Sequence, residues 1–287
     1  MIPRSPLLAA SCAALALPFA AIAQTPPNPA QSEAVAPDPL RYADLVDLVL
    51  PADLVARAQV RKVARLEPER SPGLAAGQAR VYVEARTSAV LAGSDLGESI
   101  RFLADVPLDA KGRLPRLAKA DVLVIGHTVA GRTGELLLSA PDAMLSWSAA
   151  REARLRAILT EKLSPDAPPV VKGVREALHV PGNLAGEGET QVFLATEGGR
   201  PAALSIIRRP GMARSWGVSF GEIVDQSARS PAPETLAWYR LACFLPQTLP
   251  ARANISDGAG AQAAAADDYA FARQSLGACE RGRAPTG

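Results

Sequence analysis

Ser219 lies in the one stretch whose residue types and spacing match a catalytic signature. Gly217, Val218, Ser219, Phe220 and Gly221 fit the G-x-S-x-G pattern, in which a strained strand-to-helix turn presents a serine nucleophile. A serine becomes nucleophilic only beside a base, and the chain has two histidines, His127 and His179, both upstream of Ser219. The Ser, acid, His order of α/β-hydrolases is therefore absent. A hydrolase would have to use His179 as base for Ser219, on a short interval for the two-barrel scaffold that has this order. The alternating strands and helices of a doubly wound hydrolase sheet are also missing. Val218 and Phe220 flanking Ser219 instead predict an ordinary strand, and hydrolysis by Ser219 with His179 stands as the alternative function.

Metal and phosphate chemistry are weaker. Glu176 and His179 are spaced to share one face of a short helix expected over Val174 to Leu178, but they supply two ligands where a catalytic zinc takes three. No metal or cofactor is assigned. The Gly182 to Gly188 loop carries Glu187, has Glu189 behind it and no lysine, and leads into an expected strand. It has no helix N-terminus to hold a phosphate.

Two basic groups have more physical content. Arg57, Arg61 and Arg65 recur along the outer face of the first expected strand, and Lys111, Arg113, Arg116 and Lys119 fill a later connection. Brought together they would form a cationic patch suited to a polyanionic envelope component, a glycan or a lipid headgroup. The plainer reading is a solvated strand face, since outer residues must be polar in any case.

Composition bounds the setting. Arg4, the apolar run from Leu7 to Ala20 and the small residues Ala21 and Ala23 read as a secretory signal peptide over residues 1–23, cleaved before Gln24. No later run reaches the length needed to span a bilayer. Arg4 is the only charged residue in that segment, so the remainder carries 30 basic and 29 acidic residues. So balanced a chain has no overall field favouring nucleic acid. Cys243 and Cys279 are the two cysteines outside the leader, and in an oxidising compartment a disulfide is the simplest expectation. The chain is expected to be periplasmic or secreted.

The elements follow from periodicity. Residues 24–39 are Pro-rich and read as a disordered leader. Asp38 and Pro39 supply capping for a short helix ending near Pro51. Strands are expected from Leu54 to Leu66, with a bulge at Lys62 and Val63, then around Val81 to Ala89, Ile100 to Val106, Val122 to Ile125 and Leu136 to Leu138. Five strands beginning with a long bent one suit a small OB-like β-barrel over residues 40–147. Ala52, Asp53, Leu54 and Val55 resemble the opening of secreted OB-like domains related to netrin modules, though that family's cysteines are absent.

Residues 148–250 read as an α+β domain with a three-stranded antiparallel sheet. It opens with a helix from Ser148 to Leu163, continues through strands at Gln191 to Thr196, Ala203 to Arg208 and Trp216 to Phe220, and ends in a helix from Glu234 to Leu245. An Ala-rich segment, 251–287, is expected to be helical from Ala261 to Leu276 and tethered by the disulfide. From Val174 to Pro246, including Arg208 to Gly211 and Trp238 to Cys243, the wording is similar to a family of uncharacterised exported bacterial proteins, a resemblance that implies no activity. The fold class is α+β, and the leading function is a non-enzymatic binding or structural protein of the envelope.

Overall fold

The structure, a computed structural model, describes residues 40–93, 96–221 and 229–283. The expected signal peptide, leader and Asp38-Pro39 cap lie outside these. Helix α1 (Tyr42–Val49) starts the described chain, and its side chains are almost all buried because it sits in the first core. Six strands follow: β1 (Leu54–Arg65), β2 (Gln78–Ala92), β3 (Ser99–Pro107), β4 (Asp121–Thr128), β5 (Leu136–Leu138) and β6 (Met144–Ser146). They form an antiparallel sheet ordered β3-β2-β1-β4-β5, with β6 also on β4. β6 is too short to carry a legible period.

Alternating residues Ala58, Val60, Val81, Val83, Ile100 and Phe102 fill the first core. β4 is buried on both faces from Val122 to Gly126, which explains its unbroken apolar run. At the far end of the strand order, Arg101 on β3 makes an isolated parallel bridge to Glu135, its N–H donating to Gly134 O at 2.7 Å. The two ends of the sheet therefore approach each other. Helix α2 (Ala149–Leu163) is capped by Ser148, whose hydroxyl accepts the Arg151 N–H. Expected to open the second domain, it buries Leu155, Ile158 and Leu159 in the first core instead.

The second sheet contains β7 (Val171–Pro181), β8 (Gly188–Thr196), β9 (Ala203–Arg208) and β10 (Ser215–Ser219), antiparallel in the order β10-β9-β8-β7. It has four strands rather than three, because Val174 to Leu178 lies inside β7 and is not a helix. Register shifts between Val171 and Gly173 and between Val174 and Glu176 interrupt the alternation. Bulges of this kind hide a period of two and leave Val174 and Leu178 at a helix-like spacing. Between β9 and β10, Met212 N–H donates to Arg209 O at 3.1 Å around Pro210 and Gly211. The Gly211 φ of +68° is what the third position of a type II turn requires.

Helix α4 (Gly258–Leu276) covers one face of this sheet. Its Tyr269, Ala272 and Leu276 join Ala177, Val192, Leu204, Ile206 and Trp216 in the second core. Helix α3 (Leu236–Ala242) links the two cores: Leu236 and Tyr239 belong to the first, Leu241 and Ala242 to the second. Trp238 packs against both and donates its Nε1–H to Leu276 O at 2.8 Å. The Ala-rich C-terminal segment thus contributes side chains to the second core. Among the described residues no helix is long and apolar enough to cross a membrane.

Cys243, after α3, and Cys279, after α4, stand at disulfide distance with Cα atoms 5.0 Å apart. Beyond Cys279 the chain returns to α1. Gly282 and Arg283 donate their N–H groups to the fully buried Asp44 carboxylate at 2.9–3.1 Å, and Arg281 pairs with Asp47 at 2.7 Å. A link across a sequence separation of 36 should stabilise the fold by about 3–4 kcal/mol through the entropy of the unfolded chain. Urea unfolding of the Cys243→Ser, Cys279→Ser double variant should show that loss. A midpoint equal to that of the unreduced protein would mean that the link contributes nothing.

Candidate functional site

Ser219 and His179 are on opposite edges of the second sheet. The register runs from His179 to Thr190, to Ile206, to Trp216, so Ser219 is three strands across and three residues along from His179. At ordinary strand spacing that is about 17 Å, far beyond proton-transfer reach. The odd offset also divides the faces: His179 shares the α4 side with Trp216, while Ser219 shares the far side with Ala203 and Phe193. Residues 217–219 are regular strand, so the turn that would strain a nucleophile is absent from them. Glu176 and His179, both on β7 and three residues apart, fall on opposite faces as well, and cannot share a ligand. Among the described residues no three His, Cys, Asp or Glu side chains gather to hold a metal.

His179 does have an acid partner, through a third residue. Its Nδ1 is 2.8 Å from Thr190 Oγ1, and the Thr190 hydroxyl donates to Asp268 Oδ2 at 2.5 Å. Because the single hydroxyl proton goes to Asp268, Nδ1 must carry a proton and Thr190 accepts it. Asp268 is fully buried and also takes the Arg208 Nε–H at 2.7 Å and the Arg214 Nη1–H at 3.1 Å. Beside it, Asp267 pairs with both arginines, and the Arg208 guanidinium holds its carboxyl below the usual carboxylate range. The network joins β7, β8 and β9 to α4 and satisfies the buried Asp268 charge at that contact. Its role is to fasten the helix to the sheet.

The Gly182 to Gly188 loop is the tip of the β7–β8 hairpin. Glu187 turns its carboxylate inward to accept the N–H groups of Asn183 and Leu184 at 3.1 and 3.2 Å. The backbone donors that a phosphate would need are already filled by the loop's own acid.

The basic groups are partly regrouped. Arg57 is half-buried, ion-paired with Asp121 at 3.4 Å and stacked on Trp147 with its guanidinium 3.8 Å from the ring centroid. It braces β1 against β4 and against Trp147, the residue after β6, and is not a free surface charge. The shift between Val60 and Lys62 leaves Arg61 as the extra residue of a bulge, and Arg65 comes opposite Val81 on the core side of the sheet. One inserted residue flips the faces of everything after it, so Arg57, Arg61 and Arg65 do not line a common outer face. Arg113 is also engaged: its N–H and guanidinium bind Asp109 and hold that carboxyl below its ordinary range.

Lys119 is brought to Arg61 from a distant part of the sequence. The segment 108–120 begins where Leu108 N–H donates to Gly77 O at 2.8 Å, beside the start of β2. It ends on β1, with Lys119 N–H donating to Val60 O at 3.0 Å and Val60 N–H to Ala120 O at 2.9 Å. That pairing sets Lys119 beside Arg61. Lys119 adopts a φ of +64°, a left-handed conformation uncommon outside glycine and costing of order 1 kcal/mol or more. Arg61, Arg65, Lys111, Arg116 and Lys119 are all exposed, and among the described residues none has an ion-pair partner. The bulge and the long-range pairing that create this arrangement are not legible from charge spacing alone. Compared with protein-family models and with curated proteins, the chain matches none.

Proposed function

We propose that the protein is an exported binding module of the cell envelope, whose first half is an OB-like barrel that holds a polyanion at the end where β1 finishes and β2 begins. The observation that carries this reading is the pairing of Lys119 and Ala120 with Val60, which sets Lys119 beside Arg61 of β1. Arg61 and Lys119, both exposed and with no ionic partner among the described residues, concentrate positive potential there although the whole chain is nearly neutral, and such local fields recruit anionic polymers. Barrel closure is supported by the Arg101–Glu135 bridge between the two ends of the strand order. Export is supported by the apolar run from Leu7 to Ala20 and by the Cys243–Cys279 pair. Envelope protein whose N-terminus is Gln24 would agree with it, and a cytoplasmic chain retaining Met1 would oppose it.

The polyanion reading predicts binding of dextran sulfate that weakens steeply with salt. By analogy with nucleic-acid backbones, each neutralised charge contributes about 0.7–0.9 to the slope of log K against log salt. Reversing Arg61 and Lys119 together to glutamate should lower that slope by about 1.5 or more. Melting should be preserved, since both side chains are exposed. Binding indifferent to salt, or equally tight in the double reversal, would rule the site out.

A further inference from the structure

We infer a second, independent ligand site on the far face of the second sheet, built to take a small organic anion with a flat or apolar body. An open cavity of about 500 Å³ lies there, with Phe193, Ala203 and Pro201 among its apolar walls and Arg175, Arg200 and Thr196 among its polar ones. That volume falls within the range of small-molecule sites, and the combination of apolar walls with a few polar groups is their usual make-up.

The local backbone is shaped to aim Arg175 at this cavity. Val174 pairs with Leu194 and Glu176 with Phe193, leaving Arg175 as the extra residue of a β-bulge. Bulges commonly re-aim a side chain out of the pleat. The Arg175 guanidinium consequently stands 5.7 Å from the centre of the Phe193 ring, within cation–π range. A guanidinium held against a ring retains N–H groups along its edge, a geometry that matches a carboxylate or sulfonate bidentately. Arg175 is exposed and has no ion pair among the described residues. Arg200, across the cavity on the β8–β9 turn, spends one N–H on Ala167 O at 2.7 Å, which fixes its position. Glu176 stands opposite Phe193 on the neighbouring strand and is an acidic group that would oppose an anion, as is Glu197 on the β8–β9 turn, which pairs with Lys172 at 3.5 Å.

Anilinonaphthalene sulfonate, with its neutral relative phenylnaphthylamine, tests the site on the folded full chain. The sulfonate should bind saturably at one site per chain. Arg175→Gln should weaken it roughly tenfold or more, as expected for loss of a charged hydrogen-bonding partner. Arg175→Lys should retain part of the affinity, Glu176→Gln should strengthen binding, and the neutral compound should bind much more weakly. The Arg61→Glu, Lys119→Glu variant should bind the sulfonate like the wild type, which separates this site from the barrel end. No saturable binding to the wild type, unchanged affinity in Arg175→Gln, or equal affinity for the neutral compound would overturn the inference.

Discussion

Asp268→Ala is expected to lower the free energy of unfolding by about 3–5 kcal/mol, the cost of removing one partner from a buried ionic network. The carboxylate accepts from Thr190, Arg208 and Arg214 while being wholly shielded from water. Its loss leaves the buried Thr190 hydroxyl proton without its acceptor, while Thr190 Oγ1 can still accept the His179 Nδ1–H. The two arginines are less affected, because each keeps Asp267 and about a quarter of its side-chain surface in water. Asp268→Asn should cost less, since the amide oxygen can still accept from Arg208. Urea unfolding of the two variants gives the comparison. A loss below about 1 kcal/mol in Asp268→Ala would place the network among the weakly contributing surface ion pairs.

Trp216→Ala carries an expected loss of similar size, about 3–5 kcal/mol, by a different mechanism. Here no charge is involved. The indole is 8 % exposed and lies directly across from Ile206 on the face covered by α4. Truncation would remove apolar surface from water-excluded packing and leave a cavity that a sheet gripped by a helix fills only partly. In a chain of this size the melting temperature should fall by roughly 10 °C. An unchanged melting temperature would show the ring to be dispensable to packing.

Most of the strands were readable because their alternation is clean. Val81, Val83 and Ala85 point inward while Arg80, Tyr82 and Glu84 point outward, and a slip by one residue would reverse that pattern. β7 was misread for the converse reason: two register shifts within it break the period of two, and a short window with broken alternation resembles a helix turn. The basic site was half legible. Its residue types were visible, but whether Arg57 was free and whether Lys119 reached Arg61 depended on contacts between β1 and residues more than fifty positions later.

The stretch around Ser219 separates the two kinds of information most clearly. Residue order alone was enough to remove the Ser, acid, His arrangement, because that follows from chain direction. The separation of Ser219 from His179 needed the order of strands in the sheet, which placed them on opposite edges and opposite faces. The bulged Arg175 over Phe193 likewise arose only when β7 met β8. Local preference acts over a few residues, whereas strand order and register are set by which apolar faces can be buried together, and that is a property of the whole packed chain.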